Sequence, residues 1–124
     1  MKFVIEDYNA LKRALHEMCA GFAAEDVPEQ ELFDCKLVAD ELLSNVLQHG
    51  GGKAYFCAAK EGDEIRISVR GAQDFRPPEK SACSGVDAEC GRGLFLVDAV
   101  CESRDYTEGE GIRVVIRIGG KKIY

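Results

Sequence analysis

The 124-residue chain is long enough for one domain with one sizeable core, which the 46% of apolar residues supplies, and it leaves no room for a second. A net charge of -6 and a pI of about 4.9 argue against non-specific nucleic-acid binding, which needs a basic patch to displace counterions from phosphate. No stretch approaches the roughly 18 apolar residues of a membrane span, and Met1-Lys2-Phe3-Val4-Ile5-Glu6 meets an acid too early for a secretion signal, so the cytoplasm is the expected compartment.

Lys2 to Glu6 alternates, with Phe3 and Ile5 inward, and predicts a short strand. Asp7 or Asn9 can cap a helix from about Ala10 to Ala24, whose Leu11, Leu15, Met18 and Phe22 share one face. Pro28 marks a new start, and Glu29 to His49 is the longest helical pattern. Gly50-Gly51-Gly52 ends it, because glycine accepts the left-handed cap conformation cheaply. Lys53 to Lys60 reads as a strand, Glu61-Gly62-Asp63 as a hairpin turn, and Glu64 to Arg70 as a half-buried strand with Ile65, Ile67 and Val69 inward. Residues 71 to 90 have no period and carry Gly, Pro, Ser and Cys, so they read as a long loop of lid type. Gly93 to Val100 is a short helix, apolar almost all round and therefore buried. Strands at about 102–107 and 112–118 close the chain. The expected architecture over residues 1–124 is α+β, a two-layer α/β sandwich with a mixed or antiparallel sheet and its helices on one face.

Cysteines stand at 19, 35, 57, 83, 90 and 101, and no two have C-x-x-C spacing. Cys35, Cys57 and Cys101 fall in apolar stretches and read as reduced thiols that pack as small hydrophobes. Cys83 and Cys90 fall in the loop, where a thiol is most open to reaction.

The second helix carries polar residues in an ordered row. With Glu41 at zero and about 100° per residue, Asn45 falls near 40° and His49 near 80°. Leu32, Ala39, Leu42, Leu43 and Val46 cluster opposite. A carboxylate, an amide and an imidazole thus follow one another with about 6 Å of rise per step. The ordinary alternative is the solvated side of an amphipathic helix. Against it, Leu37 and Val38 lie on the same side one turn earlier, which implies partial cover, and the row ends at three glycines, where backbone can approach a ligand. Asn45 would suit magnesium beside phosphate oxygens, and Glu41 could accept a proton from a hydroxyl or water. A zinc site does not fit, since the two histidines, His16 and His49, are far apart and lack a second ligand pair.

Cys90-Gly91-Arg92-Gly93-Leu94-Phe95-Leu96-Val97 places two glycines before the short helix, where free N–H groups could cradle phosphate. It lacks the third glycine and parallel βαβ unit of a dinucleotide fingerprint, and the chain has no G-x-x-x-x-G-K-[ST] loop.

Glu41-Leu42-Leu43-Ser44-Asn45-Val46-Leu47-Gln48-His49-Gly50 resembles the N box of the histidine-kinase-like (Bergerat) ATPase superfamily, in the form found in its anti-sigma-factor serine kinase branch. Gly91-Arg92-Gly93-Leu94-Phe95-Leu96-Val97 is similar to that branch's second glycine box. The resemblance covers nearly the whole chain. It implies ATP and Mg2+ as ligands, Glu41 as general base, Asn45 as magnesium ligand, His49 near the phosphates, and Gly91, Arg92, Gly93 and Leu94 in contact with them. It implies as partners a small anti-sigma-factor antagonist, phosphorylated on serine, and a sigma factor held by the same surface region, with homodimers common.

One motif departs. The family's first glycine box reads roughly D-x-G-x-x-F-x-P, and its Asp hydrogen-bonds the adenine amino group. Here Gly71 stands in the Asp position and Gln73 in the glycine position, while Phe75 and Pro77 match the trailing residues. Three outcomes follow: weak but working ATP binding, substitution by Asp74 or a water, or a switch module that binds proteins without tight ATP binding.

Overall fold

The computed structural model describes residues 1–49, 52–72, 96–107, 109 and 111–119. Strand β1 (Lys2–Ile5) leads into helix α1 (Tyr8–Ala24). Asp7, extended in backbone, starts that helix: its Oδ1 accepts the Ala10 N–H at 2.7 Å, so the helix begins two residues before the expected Ala10. Leu11, Ala14, Leu15, Met18 and Phe22 are its buried face.

A Schellman turn ends α1. Val27 N–H donates to Phe22 O at 3.0 Å and Asp26 N–H to Ala23 O at 3.1 Å. Asp26 holds the left-handed position, with φ 62°, that glycine usually occupies. Val27 is buried beside this turn, and the Pro28 carbonyl accepts the Leu32 N–H that opens α2 (Glu29–His49).

Strands β2 (Ala54–Glu61) and β3 (Glu64–Gly71) form a hairpin whose turn uses Gly62 at φ 61°. A helical turn spans 96–100, followed by β4 (Ser103–Thr107) and β5 (Gly111–Arg117). The expected helix from Gly93 is described only from 96 onward, and most of the expected loop lies outside the described residues.

The sheet is antiparallel throughout, in the order β1-β2-β3-β5-β4. Register fixes its two faces. Ile5, Phe56, Ala58, Ile65, Ile67, Val69, Ile112, Val114 and Ile116 point to the helices and are buried. Burial of each large side chain among them contributes about 1.5–3 kcal/mol. Lys2, Val4, Tyr55, Arg66, Arg70 and Arg113 alternate onto the opposite face. Helices α1 and α2 pack on each other; α2 lies against β3, β2 and β5, and α1 against β1. The α+β sandwich is thus the observed fold, with an antiparallel sheet. Register also places Ala54, Gly71, Thr107 and Gly111 at one end of the sheet and Glu61, Glu64 and Ser103 at the other.

Among the described residues, no helix is long and apolar enough to cross a membrane. Cys35 is buried and Cys19, Cys57 and Cys101 are half-buried, and none of these four forms a disulfide. Cys83 and Cys90 lie outside the described residues.

Candidate functional site

Helix α2 changes character along one flank. With Glu41 at zero, Glu31, Asp34 and Val38 fall at about 80°, 20° and 60°, in the arc that also holds Asn45 and His49. Val38 is 0% exposed and Asp34 1%. Glu41 and Asn45 are half-buried, and His49 is exposed. The flank is therefore covered up to Val38 and opens from Glu41 onward. Its covered half is held by polar contacts: Glu31 Oε1 accepts the Gly119 N–H at 3.2 Å, and Gln30 Nε2 donates to Asp34 Oδ1 at 3.3 Å. The partial cover expected from Leu37 and Val38 is present, complete at Val38 and incomplete at Leu37. Leu32, on the side opposite the polar row, is half-buried and packs against the core.

This position sets the electrostatics of Glu41. Burial pushes its carboxyl pKa up, and the neighbouring Asp40 carboxylate adds to the rise. Asp40 itself is exposed, and its Oδ1 accepts the Ser44 hydroxyl at 3.4 Å on the solvent side. A half-desolvated carboxylate of raised proton affinity, one helical turn from a half-buried carboxamide, can take a proton while the amide oxygen faces a cation or a donor.

Gly52 takes φ 78° in open space after the helix, while Gly50 and Gly51 lie outside the described residues. The link from His49 to Ala54 is short, so the open end of α2 meets the end of the sheet where Ala54 pairs with Gly71. Gly71 is the last residue of β3. It shares the inward parity of Val69 and is half-buried. The residue in place of the adenine aspartate thus faces the helix layer and offers no side chain. Just before it, Arg70 turns outward, its guanidinium 4.6 Å from the Tyr55 ring centroid, with Lys53 Nζ at 5.5 Å from the same ring.

Gly91, Arg92, Gly93 and Leu94 lie outside the described residues, as do Gln73, Asp74, Phe75 and Pro77. The chain returns in the 96–100 turn, where Val97 and Val100 are buried. Asp98 in that turn receives a two-pronged bond from Arg104 on β4, Nε to Oδ1 at 2.6 Å and Nη2 to Oδ2 at 3.1 Å. Helix and strand periodicity did not single out Arg104. Its sequence signal is a charge at an inward strand position: Arg104 pairs with Val114, among apolar side chains.

A groove of about 460 Å3 occupies the opposite face of the sheet, lined by Lys2, Cys57, Ala59, Arg66, Ser68 and Arg113 among others. It is separate from the Glu41 row. Two of its cations are engaged, Arg113 with Asp105 at 2.9 Å and Arg66 with Glu61 and Glu64 at 3.5 and 3.6 Å. The Glu41 carboxylate and the Asn45 amide belong to the helix layer instead.

A family model described as the histidine kinase-like ATPase domain matches residues 5–118. Comparison with curated proteins gave no match. The family match spans α1, α2, strands β2 to β5 and the interval that contains 91–94.

Proposed function

The chain belongs to the histidine kinase-like ATPase family, whose domains bind ATP, and from that premise we propose that it transfers the ATP γ-phosphoryl group to a serine of a protein partner, as anti-sigma-factor serine kinases do. The observation that carries this reading is the position of Glu41 and Asn45: half-buried, one helical turn apart, where cover on α2 ends.

Both side chains offer hard oxygen donors, the type magnesium takes together with phosphate and water. Asn45 would hold the metal, which when bound offsets negative charge on the phosphates. Glu41 orients the serine hydroxyl and takes its proton as the oxygen–phosphorus bond forms and the bond to ADP breaks. Its raised proton affinity makes it a stronger base than an exposed carboxylate. The resemblance assigns His49, Gly91, Arg92, Gly93 and Leu94 to the phosphates. The phospho-acceptor in this reading is a small antagonist protein, and the partner released or held in exchange is a sigma factor. A homodimer belongs to the same proposal.

Gly71 favours a second reading, a protein-binding switch without tight nucleotide binding, because the base-facing position at the end of β3 has no side chain. Calorimetry with magnesium-ATP separates the two. The kinase reading expects saturable binding by the wild type and loss of its magnesium dependence in Asn45→Ala. An unchanged titration in the variant rejects the role given to Asn45. Absence of wild-type heat at about millimolar ATP, some 4 kcal/mol of binding free energy, leaves the switch reading.

A further inference from the structure

We propose that the open face of the sheet is a docking groove for an acidic segment of a protein partner, an extended chain whose spaced carboxylates lie over Lys2, Arg66 and Arg113. The groove is on the far side of the sheet from the Glu41 row, so its occupancy stands apart from the nucleotide reading.

Strand register builds the groove. Lys2, Cys57, Ser68 and Arg113 follow one another across β1, β2, β3 and β5, each paired with the next. Arg66 stands two residues along β3 from Ser68 and therefore on the same face, paired with Ala59. Cys57, Ser68 and Ala59 are small, while Lys2, Arg66 and Arg113 are long and cationic. Small side chains between long ones leave a depression of about 460 Å3.

Charge sets the class of occupant. The chain as a whole carries -6, yet among the described residues that line this groove three are cations and one, Asp105, is a carboxylate. Lys2 is exposed and has no ion-pair partner among the described residues. Arg66 and Arg113 are paired, but in contacts open to solvent: Arg113 and Asp105 are 42% and 57% exposed, and Arg66 57%. Such pairs add little stability, so an incoming carboxylate can share or exchange the guanidinium.

Spacing sets its shape. Three strand steps put the Cα atoms of Lys2 and Arg113 about 14 Å apart. Cations rooted that far apart favour an extended anion over a single phosphate. A uniform polyanion such as nucleic acid would also meet Asp105, and Glu61 and Glu64 beside Arg66. A peptide can set its carboxylates over the cations and neutral residues over the acids. A second copy seated face to face would turn these cations against one another.

The test uses the full chain and a short labelled peptide of alternating glutamate and serine, with its glutamine–serine counterpart as control, read by fluorescence anisotropy. Lys2→Gln and Arg66→Gln should each weaken binding of the glutamate peptide by about threefold or more. Lys12→Gln, which removes the same charge from an exposed position on α1, should change it by less than about 1.5-fold. Raising salt from about 50 to about 250 mM should weaken it by about fivefold. Saturating peptide should slow alkylation of Cys57 by about threefold, followed by mass spectrometry of the fragment that contains it, because that thiol is on the groove floor. No binding above the glutamine control, equal effects of Lys2→Gln and Lys12→Gln, or an unprotected Cys57 overturns the proposal. Tighter binding of an oligothymidylate, displacement of the peptide by inorganic phosphate at matched ionic strength, or a dimer in light scattering that Arg66→Gln dissociates also overturns it. Those results would make the face a nucleic-acid site, a compact-anion site or a self-interface in turn.

Discussion

Gly71 pairs with Ala54 across the β2–β3 ladder, on the helix-facing side and at the end of the sheet reached by the C-terminus of α2. An aspartate at this position would project toward the helix layer rather than into solvent. A carboxylate there that met the base amino group would add a charge-assisted hydrogen bond of about 1.5–3 kcal/mol. Gly71→Asp is therefore expected to tighten ATP binding by about tenfold or more and to raise the preference for ATP over GTP, read by competitive titration. Equal affinities in the two proteins would mean that the base does not lie against β3.

Glu41 makes stability depend on pH in a defined direction. Its carboxyl pKa is raised in the folded chain by burial and by Asp40, so the folded state holds the proton more tightly than the unfolded state. The corresponding contribution to stability is complete below the ordinary carboxyl range and is lost as pH rises through the elevated folded value. Glu41→Gln should then be more stable than the wild type at pH 7, by no more than about 1 kcal/mol since the group is partly solvated, and the gain should vanish in acid. Urea titrations at pH 7 and pH 4 check the sign. The same variant should lose phosphoryl transfer while keeping ATP affinity.

Gly111 opens β5 with φ 76°, and a Cβ there would fall on the Val69 carbonyl oxygen and within 2.8 Å of the Arg70 Cα. Both neighbours are backbone in the central ladder and have little room to move. Gly111→Ala is expected to cost about 2–4 kcal/mol, visible as a lowered urea midpoint with an unchanged slope. A cost below about 0.5 kcal/mol would show that β3 and β5 separate easily at this end.

Asp26 pays the left-handed strain of the Schellman turn without a glycine's freedom. Asp26→Gly should stabilise the fold by about 1 kcal/mol, a few degrees in thermal melting, with no effect on the site at the other end of α2. A neutral or destabilising result would mean that the Asp26 side chain contributes a contact that offsets its strain.

The sequence made the fold legible where periodicity governs. Ile65, Ile67 and Val69 alternate, and Glu41, Asn45 and His49 recur every fourth residue, so their faces followed from geometry alone. It did not show that Asp34 and Glu31 are buried, because their cover comes from outside α2, in part from Gly119 near the end of the last strand. Nor did it show the Asp98–Arg104 bond, which joins a helix to a strand across six residues and obeys neither period. The start of α1 was ambiguous because Asp7 and Asn9 are both good caps; the extended backbone at Asp7 decides it. The glycine motif at 91–94 lies outside the described residues and is legible only as a motif.

The covered and open halves of α2 give the helix two separable tolerances to substitution. A residue-by-residue replacement scan along that flank should report first on denaturation midpoint, from Glu31 to Val38, and then on ligand affinity with the midpoint held, from Asn45 to His49. The switch between the two readouts would fall within about two helical turns. Ligand affinity could then be tuned from Asn45 onward without first reinforcing the core, and the core strengthened at Val38 or earlier without touching the ligand.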